Sequence, residues 1–424
     1  MIYNTHTLSC GLRIIHLPSP SPVAYCGYAI KAGTRDEQPG DEGLAHFCEH
    51  VSFKGTRQRT AMSILNCLES VGGEINAFTA KEHTVFYSAI LRDHIRRAVS
   101  LLTDIVFDSV YPYEEIVKET AVICDEIESY NDSPADLIFD EFENIIFNGH
   151  PLGHNILGTA ERVRTYKTAD AVRFTRQHYT PQSTVFFVYG NIDFGKIVKM
   201  VERSVETVLA NRPTCEPQSP AALMADKPSA LSAEAAGAKA EQGVTIVRSR
   251  NTHQAHVVTG CRAYGMSDSR RLPLWLLTNI LGGGGMNARL NVALRERHGL
   301  VYTVESSMLT YSDTGLWATY FGCDHHDVRR CQRLMRREMD RLMQKPMSDT
   351  QIDKAKKQIK GQIGIAFDNR ESLALSFAKS FLHSGHGKDI ALLYERIDRI
   401  TPAQLQDAAQ DIFNPATLTT LIFE

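Results

Sequence analysis

No stretch of this 424-residue chain approaches the roughly 20 consecutive apolar residues that a membrane-spanning helix needs. The N-terminal residues Met1 to His6 lack a basic segment leading into an apolar run, so no secretory leader is expected. Charge of one sign is also scarce. The formal net charge is -3, which gives no general attraction to nucleic acid or acidic lipid, and neither is expected as a partner. The basic pairs Arg329-Arg330 and Arg336-Arg337 fall in a helical pattern and read as a solvated face. The nine cysteines are scattered, odd in number and contain no CxxC pair, which argues against a disulfide framework. A reducing, cytoplasmic setting is the expectation. The glycine run Gly282 to Gly285 lacks the Gly-Lys-Ser/Thr that would make it a phosphate loop.

Hydrophobic residues make up 43% of the chain and charged residues 22%, a soluble globular composition too long for one ordinary core. Asn211 to Gln242 is rich in Pro, Ala and Ser and reads as a linker. It separates residues 1–210 from residues 243–424, and the two halves share a pattern. Strand-like Val23 to Ile30 leads through a turn-rich loop to a helix around His46, and strand-like Ala255 to Gly260 leads to a helix around Leu274 to Leu281. Val85 to Ile90 precedes a helix at His94 to Val106, as Leu316 to Phe321 precedes one from about His326 to Met343. The expected fold is α+β: two similar α/β-sandwich domains, a duplicated unit in which helices pack on an antiparallel-rich sheet.

His46 and His50 are four residues apart, which places both imidazoles on one helix face, a spacing suited to two nitrogen ligands of a tetrahedral zinc. Glu49 lies beside His50 and can point at a water on the metal without being a ligand, the H-x-x-E-H arrangement. A third ligand has to come from elsewhere in the chain. A helix from about Tyr113 to Tyr130 carries Glu119 and Glu126 one heptad apart on a side where Val122, Ile123 and Ile127 look core-like. Those carboxylates are either metal partners or two of several surface glutamates. Cys48 and Cys124 read as buried thiols. Cys323-Asp324-His325-His326 could be imagined as a second metal cluster, but Asp324 as the N-cap of the next helix is the plainer account.

With these residues the chain resembles the pitrilysin-type zinc metallopeptidases (inverzincins), relatives of mitochondrial processing peptidase and insulin-degrading enzyme, as a two-domain bacterial-type member. The resemblance implies one Zn2+ per chain held by His46, His50 and Glu126, with Glu49 as general base and Glu119 supporting the site. Gly72 to Thr79 is similar to the family's substrate-binding edge strand, which assigns peptide binding to Asn76, Ala77 and Phe78. Gly282 to Met286 resembles its glycine-rich loop. Arg295 and Tyr302 match its Arg and Tyr pair, which would hold a substrate carbonyl and the oxyanion. The second half has no H-x-x-E-H, as in the family's inactive repeat. The implied activity is endopeptidase cleavage of short or unfolded peptides inside a closed chamber. Since this chain has two domains where long relatives have four, the chamber implies a homodimer, or a heterodimer, with Arg295 and Tyr302 acting in trans. The competing expectations are a catalytic subunit that needs a different partner chain and an inactive scaffold subunit.

Overall fold

The computed structural model describes residues 2–210, 243–387 and 389–424. The linker expected at 211–242 therefore lies outside the described residues. The first half runs β1 (Asn4–Thr7), β2 (Arg13–Pro18), β3 (Val23–Ile30), α1 (Leu44–Ser52), α2 (Ala61–Glu69), β4 (Glu74–Thr79), β5 (Thr84–Leu91), α3 (Ile95–Asp108), α4 (Tyr113–Asn131), α5 (Pro134–Ile146), α6 (Ala160–Val163), α7 (Thr168–His178), β6 (Thr184–Gly190) and α8 (Phe194–Ala210). The second half runs β7 (Thr245–Arg248), β8 (Ala255–Ala263), α9 (Arg271–Gly282), β9 (Val301–Thr310), β10 (Gly315–Cys323), α10 (Val328–Gln344), α11 (Asp349–Asp368), α12 (Arg370–Ser384), α13 (Ile390–Asp398), α14 (Pro402–Ile412) and β11 (Thr419–Phe423).

Two sheets form, with strand orders β1-β2-β6-β3-β5-β4 and β7-β11-β8-β10-β9. Apart from β1 the two orders match strand for strand. Each has one parallel pair, β2 with β6 and β7 with β11, followed by three antiparallel pairs. The middle antiparallel strand carries a glycine at the corresponding place in each. A Cβ on Gly27 would meet the Phe86 carbonyl oxygen at 2.3 Å, and one on Gly260 would meet that of Trp317 at 2.1 Å. Shared topology with a shared close-approach glycine is the structural form of the expected duplication, and the fold is α+β.

Strands such as β6 and β10 are apolar and buried along almost their whole length, so both faces of each sheet need cover. The compact units that result do not follow the division at 211–242. One unit takes the chain up to Glu128, the stretch from His154 and the stretch from Ala366 that contains α12. The other takes Ser129–Gly153, which contains α5, the stretch ending at Ile365 and Asp389–Glu424. In the first unit one face of the sheet packs on α1, α3, α7 and α8. The opposite face, with Ile15, Leu17, Ala29, Val85, Val185 and Phe187, is covered by Ala374, Phe377, Ala378, Phe381 and Leu382 of α12. In the second unit Leu137, Ile138, Phe142 and Ile146 of α5 pack on Val258, Leu316, Tyr320, Leu421 and Phe423. Each half of the sequence thus contributes one helix to the other half's sheet. No helix among the described residues is long and apolar enough to cross a membrane.

Candidate metal centre

Helix α1 starts without a side-chain cap of its own. Its N-cap, Gly43, is left-handed at φ 91°, and a Cβ there would meet the Leu157 carbonyl oxygen at 2.7 Å. The orphan amides are satisfied from the preceding loop. Glu37 accepts from Gly43 N at 3.0 Å and from Ala45 N at 2.7 Å, and its Oε2 lies 2.8 Å from His154 Nε2. Burial raises the Glu37 carboxyl, with His154 and the two amides opposing. In α1 every residue except His50 is buried, so the helix and the direction of its side chains are set by packing on all sides.

The two imidazoles face one another with ring centroids 4.5 Å apart. Helix α4 brings Glu126 to them: its Oε2 is 3.4 Å from His50 Nε2 and 3.9 Å from His46 Nε2. His46, His50 and Glu126 each offer a donor atom within 4.8 Å of the others. Donors bound tetrahedrally to zinc at its usual bond lengths sit about 3.3–3.5 Å apart, so this set fits a zinc ion with small adjustments. The protonation of His46 fits as well. Burial, then the neighbouring His50, pushes His46 down to about 3, which leaves it neutral with a lone pair to offer. Its Nδ1 is buried without a hydrogen-bond partner. His50 donates from Nδ1 to Glu119 Oε1 at 2.9 Å, and that bond leaves Nε2 free for a metal.

Glu119, a heptad before Glu126, is buried, whereas the Glu126 side chain is 45% exposed. Burial would raise the Glu119 carboxyl, but hydrogen bonds from His50 and Lys54 outweigh it and hold the group below the usual carboxylate range. Glu49 is on the same helix turn as His50 and outside the three-donor set. It accepts from Thr79 Oγ1 at 2.5 Å. Burial raises its carboxyl, with Thr79 and His50 opposing and Glu126 adding to the rise.

Thr79 is the last residue of β4, the outer strand of its sheet, and β4 also carries Asn76, Ala77 and Phe78. Ala77 packs on the α1 side of the sheet, while Phe78 turns to the opposite face toward His83, Tyr87 and Lys379. Asn76 is exposed and accepts from Ala77 N at 2.9 Å. Arg295 and Tyr302 belong to the second unit. There Arg295, in a short π-helical segment at Asn291–Glu296, lies with its guanidinium 5.8 Å from the centroid of the Tyr302 ring, and Tyr302 is 83% exposed.

Cys48 and Cys124 are buried, with Sγ toward the carbonyls of Ala171 and Ala160 rather than toward the histidines. Two local expectations need correcting. Val122 is 51% exposed, since α4 turns Ile116, Ile123 and Ile127 inward instead. Asp324 stands at the cap position of a 3-10 turn, His325–Asp327, but its side chain makes no capping bond, and α10 starts after Asp327. Asp324, His326 and Asp327 lie within reach of a common cation but are largely solvent-facing, as acidic groups commonly are without one. Glu37, His154, Thr79 and Lys54 escaped the sequence reading as site residues. Only Lys54, four residues after His50, stood at a spacing that could have drawn notice.

Residues 13–160 match the family model described as insulinase (peptidase family M16), and residues 167–359 match the peptidase M16 inactive domain. The chain is 33% identical over 410 residues to an uncharacterized zinc protease of Streptomyces coelicolor, covering 96% of this chain and 86% of that protein. It is 30% identical over 422 residues to an uncharacterized zinc protease of Rickettsia bellii, covering 99% and 97%. Among solved structures it resembles a protease from Helicobacter pylori, with a TM-score of 0.86 at 18% identity over 100% of this chain and 99% of that one, a likeness of fold.

Proposed function

This chain belongs to peptidase family M16, and from that premise we propose that it is a zinc-dependent endopeptidase with His46, His50 and Glu126 as ligands and Glu49 as general base. The observation that carries the reading is the three-donor set with a buried carboxyl beside it and outside it. A zinc ion bound there supplies Lewis-acid polarisation of a water and of the substrate carbonyl. Thr79 holds Glu49 Oε2, which leaves Oε1 to take a proton from the attacking water and return it to the leaving amine. The burial that raises the Glu49 carboxyl brings it closer to the range in which an acid–base group works at neutral pH.

Substrate enters this reading as an extended segment added to the outer edge of β4 along Asn76, Ala77 and Phe78. Strand addition reads backbone more than side chain, which favours short or unfolded peptides of varied sequence. Arg295 holds a substrate carbonyl and Tyr302 donates to the oxyanion; the exposure of Tyr302 supports its availability to a ligand. We assign both to the partner protomer of a pair, so that the active site is shared between two chains. Mixing two inactive proteins, Glu49→Gln and Tyr302→Phe, is then expected to restore up to about a quarter of wild-type activity, the share of intact sites under random pairing. A mixture as inactive as its components overturns the shared site.

The reading itself is tested by metal analysis together with cleavage of a quenched peptide. The expected result is about one zinc ion per chain, activity abolished by a chelator and restored by zinc. A chain that takes up no zinc sinks the proposal. Zinc uptake without cleavage by the pure chain points instead to a subunit that requires a different partner.

A further inference from the structure

We propose that Lys54 is a positioning residue for the metal centre, acting through Glu119 to hold the His50 imidazole in the tautomer and orientation that metal binding requires. The inference rests on the zinc reading above and extends it to a residue outside the ligand set.

The three groups form a chain of contacts. Lys54 Nζ lies 2.6 Å from Glu119 Oε2, and the other oxygen of that carboxylate, Oε1, lies 2.9 Å from His50 Nδ1. His50 Nε2 in turn faces Glu126 Oε2 at 3.4 Å. This differs from an ordinary surface ion pair, because the Glu119 side chain is only 9% exposed and that of Lys54 is 28% exposed. A buried carboxylate is costly unless its oxygens are matched by donors, and here each oxygen has one. Removing the ammonium leaves Oε2 buried without its charged partner, and the carboxylate turns to find another donor. The bond that fixes the proton on His50 Nδ1 is then weakened. A ring free to carry its proton on Nε2, or to rotate, has lost the lone pair it would present to a metal.

The backbone that places Lys54 is itself pinned. Lys54 N donates to the Val51 carbonyl at 3.1 Å, which continues the turn that ends α1. On the other side of the loop Gly55 bridges to Thr60 and Thr56 to Ser109, and Val110 N donates to the Gly55 carbonyl at 3.1 Å. The ammonium therefore leaves from a fixed point between the end of α1 and the segment that leads into α4, the two helices that carry the donors. Charge balance points the same way. Glu49, Glu119 and Glu126 all act electrostatically on the His50 imidazole, and Lys54 contributes a cation to that cluster without competing for the metal's coordination positions.

The test is the zinc dissociation constant, measured on the full chain by competition with a chelating dye, for wild type, Lys54→Met, Lys54→Arg, Glu119→Gln and the Lys54→Met/Glu119→Gln double variant. Circular dichroism and thermal unfolding of each metal-stripped protein verify the fold, and Lys54→Gln stands in if Lys54→Met does not fold. Lys54→Met is expected to bind zinc about tenfold more weakly than wild type, at the low end of the losses seen when groups behind a metal ligand are removed. Lys54→Arg, which keeps the charge, is expected to stay within about threefold. In the Glu119→Gln background the same Lys54→Met change is expected to add less than about twofold, since its effect passes through the carboxylate. Zinc bound equally by wild type and Lys54→Met overturns the inference while leaving the metal centre standing. A tenfold loss that persists undiminished in the Glu119→Gln background overturns it too. A wild-type chain that takes up no zinc overturns the metal reading, and this inference with it.

Discussion

Glu49→Gln is expected to leave the chain folded and loaded with zinc while peptide hydrolysis falls by about 10²- to 10⁴-fold, the range typical of a lost general base. That range corresponds to roughly 3–5 kcal/mol of transition-state stabilisation. The substitution suits the purpose because it changes the chemistry and little else. Glutamine has the shape of glutamate, so the fully packed helix α1 keeps its contacts, and the amide can still accept from Thr79 Oγ1 through its oxygen. What disappears is the ability to take a proton from water. Because His46, His50 and Glu126 form the donor set without Glu49, metal content is expected to stay at the wild-type level. Initial rates on a quenched peptide, paired with metal analysis of the same sample, check both halves. Activity within tenfold of wild type at full zinc occupancy would remove Glu49 from the role assigned to it.

A fragment of residues 1–210 is expected not to fold to a native domain, although it contains every proposed zinc ligand. Its sheet would lack α12, whose Phe377, Phe381 and Leu382 cover Ile15, Val85, Val185 and Phe187. Burying a side chain of that size contributes about 1.5–3 kcal/mol, so these three alone amount to roughly 5–9 kcal/mol. Whole-domain stabilities are about 5–15 kcal/mol, so the loss is of the same order as everything that holds such a domain together. The fragment also carries α5 with Leu137, Ile138, Phe142 and Ile146 facing no sheet, since their partners lie in β8, β10 and β11. The expected observables are dye binding to exposed apolar surface, loss of a cooperative thermal transition and aggregation. A fragment that melts cooperatively near the temperature of the full chain, and binds zinc, would show that the first sheet does not need the helix from the other half.

The sequence by itself determined whatever depends on residues close together along the chain. The spacing of His46 and His50 with Glu49 between them is a property of one helix, and α1 occupies Leu44–Ser52. The strands expected at Val23 to Ile30, Val85 to Ile90 and Leu316 to Phe321 appear as β3, β5 and β10, and the long helices appear within two or three residues of their expected ends. Hydrophobic periodicity is a local signal, and it was sufficient for these. Glu126 needed more. Its seven-residue spacing from Glu119 left metal partner and surface glutamate equally open; the resemblance implies the ligand role, and the structure brings its Oε2 to 3.4 Å from His50 Nε2.

Only the tertiary structure decided which sheet each helix covers. An amphipathic stripe states that a helix must bury one face and is silent about the surface it meets, so a division of the chain at 211–242 leaves α5 and α12 in the halves whose sheets they do not cover. The same limit applies to the polar contacts around the candidate metal centre. Glu37 caps α1 from a loop, Thr79 reaches Glu49 from a sheet edge and Lys54 meets Glu119 across 65 residues of chain. Each pair consists of common polar residues with no periodicity between them, and a hydrogen bond between segments remote in sequence exists only once packing has brought their backbones into place.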